Sequence, residues 1–476
     1  MNYFRRLGFV ILLFGGLLQA QTDLEITVLN LSSNQGVADA LVVLENEEIG
    51  YGAEGRTNAQ GKITFSGLAI VGSYTATAKE TDDLFESNVP GIELRSNHKS
   101  SVTIVMLPRA DFDMDEVIIK GNSATKINTV NSEVSATLSQ REVQALPIEG
   151  RDITRALYRL PNVTQATGFY PEAPNVAINS TNGLFTNYMI DGMDNNERFL
   201  GGQKFRIPVG FTKDITVLTN NYSVEFGNSG SGIINITSRS GSNDFTGEAF
   251  FITRPGPVID GASPYAQRDL SGNQVKDGYQ RYQSGFAFGG ALVPNKTFYY
   301  VNAEQIVDLK DNLLNVPQLG INETVRGVNR FTLLSAKLDH NWSNRFRSSV
   351  RVNGGLVNIQ RQGGGLDGGA TFPSAANSQD RNSFLLANKN IYVGANFSSE
   401  TNIQYSSFRW NYGRAANPTS PRVVVQDPSE ATVAILGHPG YIFDSHENTL
   451  QLQQKFIFNL GKHTLKTGID IISADH

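Results

Sequence analysis

The chain has 476 residues, of which 39% are apolar and 18% charged, with 40 basic against 45 acidic side chains and a mean hydropathy of −0.24. Past the N-terminus no run of roughly 18 apolar residues exists, which excludes a helical membrane protein, and no basic field is present to hold nucleic acid. Zero cysteines exclude a disulfide framework, an iron–sulfur cluster and a cysteine-based zinc site. Forty-six glycines, with abundant Asn, Ser, Thr and aromatics, favour strands and turns, so a mainly β chain is expected.

Arg5 and Arg6 precede an apolar run from Leu7 to Leu18 that is too short to span a bilayer, and Ala20 offers a cleavage point. Residues 1–20 therefore read as an export signal peptide. Leu24–Leu29, Ala40–Leu44, Lys62–Phe65 and Ser73–Ala78 follow as short strands, with Asn58–Gly61 as a turn. That spacing predicts a β-sandwich over 21–109. Within it, Gly36-Val-Ala-Asp-Ala-Leu-Val-Val43, Thr57-Asn-Ala-Gln-Gly-Lys-Ile-Thr-Phe65 and Gly72-Ser-Tyr-Thr-Ala76 resemble the carboxypeptidase regulatory-like domain. The resemblance implies a non-catalytic, transthyretin-like sandwich. In agreement, none of the six histidines has Glu three residues later, as a metallocarboxypeptidase zinc pair requires.

Residues 110–122 read as a linker. Asp113-Met-Asp-Glu-Val-Ile-Ile-Lys-Gly121 sets acids before a β-branched run, which suits a strand added to another protein's sheet edge. Taken alone, an ordinary edge strand has the same pattern. The following stretch is more specific. Leu146-Pro-Ile-Glu-Gly-Arg-Asp152 leads into a helix with Ile153, Ala156, Leu157 and Leu160 on one face. Pro161-Asn-Val163, Tyr188-Met-Ile-Asp-Gly-Met-Asp-Asn-Asn196, Ile215-Thr-Val-Leu218 and Tyr222-Ser-Val-Glu-Phe-Gly-Asn-Ser-Gly-Ser-Gly-Ile-Ile-Asn-Ile-Thr-Ser-Arg-Ser-Gly241 come in turn. This succession resembles the plug domain of TonB-dependent outer-membrane receptors, especially Oar-like ones with a regulatory-like sandwich in front. The resemblance implies a plug over 123–241 and a TonB box at Asp115, Glu116, Val117, Ile118 and Ile119. It also makes Asp191, Asp194, Asn195 and Asn196 the plug-motif candidates for facing the ligand.

Other motifs carry less. Asp191-Gly-Met-Asp-Asn-Asn-Glu197 lacks the alternate ligand spacing of an EF-hand, so a polar turn explains it better than a metal. Gly363-Gly-Gly-Leu-Asp-Gly368 satisfies G-x-G-x-x-G without the strand and helix a dinucleotide site needs. The scattered histidines form no triad or ligand cluster in sequence. No catalytic residue, cofactor or metal is expected.

From 242 onward the pattern becomes long strands with an apolar and a polar side. Tyr282, Phe286 and Phe288 alternate with Gln283 and Ala287; Leu334, Leu338 and Trp342 with Ser335, Lys337 and Asn341; Leu450, Leu452 and Phe456 with Gln451, Gln453 and Lys455. About nine strands are legible, at roughly 245–254, 280–292, 297–309, 330–342, 345–360, 381–397, 401–413, 447–459 and 463–472. Short connections at 293–296, 343–344, 398–400 and 460–462 alternate with long ones at roughly 255–279, 310–329, 361–380 and 414–446. Tight periplasmic turns and long outer loops give a transmembrane β-barrel that pattern. Phe298, Tyr299, Trp342, Phe346, Phe397 and Phe458 crowd the short turns as an interfacial girdle. Ile403 and Tyr405 change phase to Phe408, Trp410 and Tyr412, so a bulge is expected near Ser406-Ser407.

The resemblance implies a receptor of the cell outer membrane, with sandwich and TonB box in the periplasm and lipid around the barrel. It would capture a scarce solute and import it with energy delivered through TonB and its inner-membrane complex. The chain is not read as an enzyme. The alternative is an exported adhesin or scaffold that binds through the sandwich and outer loops without transport. Siderophore, glycan, peptide and cobalamin all stay open as solutes. Family barrels have about 22 strands, and an open edge in hydrocarbon is costly, so the chain is expected to be truncated within the barrel.

Overall fold

In the computed structural model the described residues are 23–46, 51–68, 73–94, 99–108, 134–138, 142–143, 149–165, 176–199, 201–256, 280–343, 345–361, 370–394, 397–440, 442–460 and 463–476. Seven strands come first: β1 (Asp23–Asn30), β2 (Leu41–Asn46), β3 (Tyr51–Arg56), β4 (Lys62–Phe65), β5 (Tyr74–Ala78), β6 (Ser87–Ile92) and β7 (Lys99–Met106). They form two sheets, ordered β4-β1-β7 and β3-β2-β5-β6. Period-two alternation turns Leu24, Ile26 and Val28 of β1 and Val42 and Leu44 of β2 inward, against Tyr74, Ile104 and Met106. This is the expected sandwich. Strand β3, Tyr51-Gly-Ala-Glu-Gly-Arg56, has little apolar alternation and is held by its ladder to β2.

The next elements are β8 (Val134–Leu138), α1 (Ile153–Leu157), β9 (Val163–Gln165), β10 (Val176–Ile178), β11 (Thr186–Ile190), β12 (Met193–Asp194), β13 (Thr212–Asn220) and β14 (Gly232–Ser238). Five strands form a sheet ordered β12-β11-β14-β13-β8, and β9 and β10 pair separately. Asp152 caps α1 by accepting from the Thr154 amide at 3.1 Å, which satisfies one orphan donor of the first turn. The helix then buries Ile153, Ala156 and Leu157, with Leu160 packed alongside, as its sequence face predicts. Strand β14 runs parallel to β11 and is buried along its whole length, so its Gly-Ile-Ile-Asn-Ile-Thr-Ser run carries no exposed face.

The remaining strands are β15 (Thr246–Arg254), β16 (Gln280–Val293), β17 (Thr297–Val316), β18 (Ile321–Ser343), β19 (Phe346–Arg361), β20 (Asn377–Val393), β21 (Phe397–Ala415), β22 (Arg422–Gln426), β23 (Thr432–Gly437), β24 (Asp444–Leu460) and β25 (His463–Asp475). All but β22 and β23 join one antiparallel sheet of nine strands in chain order. Its burial is inverted relative to a soluble sheet. Gln283, Asn302, Asn353 and Gln451 are buried on the side that faces the plug, while Phe251, Leu338, Leu356 and Ile469 are exposed on the other. A wall that is apolar outside and polar inside suits lipid on one face and a filled lumen on the other.

Five details differ from the sequence expectation. The connection at 310–329 is a continuation of β17 and β18, whose ladder runs on to Val316↔Ile321. The connection at 414–446 contains the hairpin β22–β23, and Val433 of that hairpin joins Leu314, Val316 and Phe372 in a small satellite core. The turn placed at 398–400 lies earlier, between Val393 and Phe397. No bulge occurs at Ser406-Ser407: the register of β21 on β24 is unbroken from Phe397↔Phe458 to Asn411↔Asp444. Phe408 and Trp410 instead point inward and are buried, so apolar lumen residues mimic a phase change. Phe298 is likewise inward and leaves the girdle. The other girdle rings cluster as expected, with Trp342–Phe346, Tyr392–Phe397 and Phe397–Phe458 centroids 6.4, 6.1 and 6.3 Å apart.

Leu338 lies on the outer face, four residues from the girdle residue Trp342, close to mid-bilayer depth. Leu338→Arg should cost about 2–4 kcal/mol of folding free energy in lipid, measured by denaturant titration of the vesicle-inserted receptor.

Candidate functional site

The plug motif Asp191–Asn196 sits where plug meets wall. Asp191 and Gly192 adopt left-handed backbone (φ 53 and 83) in the tight turn from β11 to β12, and Asn235 Oδ1 accepts from the Gly192 amide at 2.9 Å. Glycine takes such a φ without strain, which explains its place in the turn. The turn aims the Asp191 carboxylate at β19. There it meets Arg351 Nε at 2.9 Å, while accepting from the Ser238 amide at 2.8 Å and hydroxyl at 2.7 Å. Arg351 also donates to the Ile190 carbonyl, at 3.3 Å, and to Gln404 Oε1, at 3.1 Å. Burial alone would push the Asp191 carboxyl up. The charges of Lys337 and Arg351 and the two Ser238 hydrogen bonds outweigh it and hold the group at about 2.

Asp194 is buried and pairs with Arg198 at 3.1 Å and Lys204 at 3.6 Å. Its amide donates to Gln451 Oε1 of β24 at 2.8 Å, and its carbonyl accepts from Gln404 of β21 at 2.6 Å. Asn195 spans to Phe205 with two hydrogen bonds, 2.9 and 3.0 Å, and Asn196 ties the Tyr188 amide to Asn187 and Asp194. Asp194, Asn195 and Asn196 are thus buried and Asp191 half-buried, with polar atoms engaged by the plug and the wall. The TonB-box candidates Asp115, Glu116, Val117, Ile118 and Ile119 lie outside the described residues.

Lys204 is the residue on which the contact centres. Its wholly buried Nζ donates to Glu447 at 2.7 Å, Thr449 at 2.8 Å and Ser406 at 3.0 Å, so all three protons are used on the wall. Glu447 also accepts from the Arg198 amide at 2.8 Å. Further along, Glu225 of the plug lies 3.3 Å from both Lys455 and Lys466. Burial raises its pKa and the two lysines lower it, with a net lowering. On the opposite side the plug backbone closes on the wall at Gly210. A Cβ there would come 2.7 Å from Asn302 Nδ2, and the Gly210 carbonyl accepts from the Tyr300 hydroxyl at 3.0 Å. The wall therefore supplies an arginine to a plug acid and acids to plug cations. Nothing in sequence spacing joins Lys204 to Glu447 or Asp191 to Arg351.

Above this contact Phe199 is 51% exposed. It meets Trp410 edge-on at 6.0 Å and Phe443 at 5.4 Å, Tyr412 stacks on Phe443 at 5.6 Å, and Arg381 lies 4.0 Å over Trp410. Plug and wall thus share an open aromatic surface.

Residues 126–234 match the TonB-dependent Receptor Plug Domain family. The chain is 24% identical to the TonB-dependent transporter Oar of Myxococcus xanthus, over 97% of this chain and 50% of that protein, so it spans about half the length of the curated relative it matches. Among solved structures, the outer-membrane transporter YddB from Escherichia coli aligns with a TM-score of 0.57 at 13% identity, covering 71% of this chain and 48% of that one. The siderophore receptor PirA from Acinetobacter baumannii aligns at 0.52 and 14% identity, with the same coverage. A plug packed into a polar-lined antiparallel wall is the fold that the chain shares with these solved structures, and its plug region matches the TonB-dependent receptor plug family. Over nearly its whole length the chain is similar to Oar.

Breaking a buried ion pair by removing one partner strands the other charge, at about 3–5 kcal/mol. Lys204→Met should therefore loosen the plug by that order, seen as faster amide exchange across β11 and β12, and Lys204→Met with Glu447→Gln should recover part of the loss. The Asp191–Arg351 pair adds an acid limb. Asp191 titrates below its ordinary 3.8, so the pair's stabilisation is complete above about pH 4 and fades as pH falls toward 2. Thermal unfolding of the plug between pH 5 and 2 should show that loss, and Arg351→Met should flatten it.

Proposed function

We propose that this chain imports a solute across the outer membrane using energy delivered through TonB. The observation that carries the reading is the polar contact between plug and wall. Asp191–Arg351, Lys204–Glu447 and Glu225–Lys455 are directional pairs lining a lumen. Such contacts hold well in register and lose their stabilisation together when displaced, which suits a plug that must shift and return. The Oar and plug-family matches support the same reading. A non-transporting adhesin would need no plug, so that alternative is not favoured.

In this reading residues 1–20 are removed on export, 21–109 form the sandwich, 110–122 carry the TonB box, 123–241 form the plug and 242–476 the wall. Short turns and sandwich face the periplasm, long connections face outward, and the surface around Phe199, together with the motif Asp191–Asn196 beneath it, receives the solute. TonB, coupled to an inner-membrane complex, pairs with Asp115–Ile119 as an added strand and pulls. The first described strand that follows that segment is β8, at the edge of the plug sheet beside β13, where tension from the linker would arrive first within the plug.

Proline at a ladder position removes a donor and bars the added strand. Ile118→Pro should leave receptor abundance in the outer membrane unchanged while abolishing recovery of TonB in pull-downs. Full TonB recovery by the variant would count against the assignment of the box.

A further inference from the structure

The sandwich meets the barrel at a surface that solute import, as proposed above, does not use. A cleft of about 380 Å³ separates the two, walled on one side by β3 and β4 and on the other by two neighbouring short turns. Strands β3 and β4 are each an outer edge of their sheet, and unpaired edges on a soluble domain are a liability that proteins normally cover. The opposing turns are braced together: the Val393 amide donates to the Arg345 carbonyl at 2.7 Å, and the Gly394 amide to the Phe397 carbonyl at 3.0 Å. Glu54 and Arg345 line the cleft from opposite walls with opposite charges. Tyr51 of β3 rests edge-on against Tyr74 at 5.8 Å. Burial pushes the Tyr51 hydroxyl up and Arg347 opposes it, as expected of a ring lodged beside the wall.

We propose that the sandwich docks on the periplasmic rim of its own barrel, with the β3 and β4 edges facing Arg345, Val393, Gly394 and Phe397. The occupant of this face is the rim of the same chain, because Glu54 and Arg345 line the cleft from opposite walls with opposite charges and both sheet edges face the rim across it. With the sandwich docked, a pull on Asp115–Ile119 would load two attachments, plug on one side and sandwich on the other. The orientation rests on the proposed function; the contact itself does not require transport.

The chain lacks cysteine, so introduced pairs report cleanly. In the receptor within its native outer membrane, Thr64→Cys with Val393→Cys should be joined efficiently by a short bis-maleimide. Asn88→Cys with Val393→Cys, using β6 at the opposite edge of the same sandwich sheet as β3, should react at least tenfold less. Arg345→Glu should lower the first yield by facing Glu54 with a like charge, and Glu54→Arg added to it should restore the yield. Equal yields from both pairs, or none from the first, would overturn the docking. Cross-linking that persists in a receptor that does not bind TonB would leave the docking in place and count against the import reading.

Discussion

Hydrocarbon offers no partner to a backbone N–H or C=O, and the architecture of residues 246–475 follows from that constraint. The seven inner strands of the nine-strand sheet are paired on both sides and β15 and β25 on one, and side chains then sort by the only remaining choice, toward lipid or toward the lumen. Apolar rings and aliphatics take the lipid side, and Gln, Asn, Glu, Lys and Arg take the other. A polar lining buried without partners would be more costly than the exposed apolar face is favourable. The plug resolves this by presenting its own carbonyls, carboxylates and ammonium groups to the lining.

The charge arrangement is reciprocal. Arg351 enters the plug's acid turn from the wall, whereas Lys204 and the Arg198 amide enter the wall's Glu447 from the plug. Neither surface carries one sign of charge, so the interface does not depend on net attraction between two oppositely charged bodies. It depends on register. At Gly210 the plug backbone comes so close to wall side chains that a methyl group would have to displace the Asn302 amide, which sets the spacing as the pairs set the alignment. Apolar contact is present too, since Ala287, Tyr300, Leu333 and Leu385 of the wall join the plug core. Packing holds the plug in place, and the ion pairs select one orientation.

Much of the fold is legible because strands repeat every two residues and the bilayer forces that repeat to be strict. Leu334, Leu338 and Trp342, or Gln451 and Gln453, declare their faces without help from any distant residue. The failures have a common physical origin. Phe298, Phe408 and Trp410 are apolar residues on the lumen side, stabilised by a plug that local sequence cannot report, so they look like girdle or bulge. Strand β3, with two glycines and Glu54, owes its existence to the ladder with β2 rather than to its own pattern. The site was less legible still. The motif Asp191–Asn196 stood out as a motif, but its partners are set by tertiary register: Arg351 is 160 residues from Asp191, and Lys204 is 243 from Glu447. The strand expected to meet TonB lies outside the described residues.

Those separations bear on how the molecule is made. Export and synthesis proceed from the N-terminus, so the plug emerges complete while its partners on β24 and β25 are still hundreds of residues away; the Asp194 amide awaits a glutamine 257 positions later. During that interval Lys204, Glu225 and Asp191 must remain hydrated, and the plug face that will meet Leu333 and Leu385 remains uncovered. The wall has the opposite habit, since its strands are closed largely by sequence neighbours and can be added hairpin by hairpin. The plug, made before the wall, is thus the later of the two to reach its final free energy. A periplasmic holding factor that shields polar, half-finished surfaces would serve this chain better than one selective for exposed hydrophobic strands.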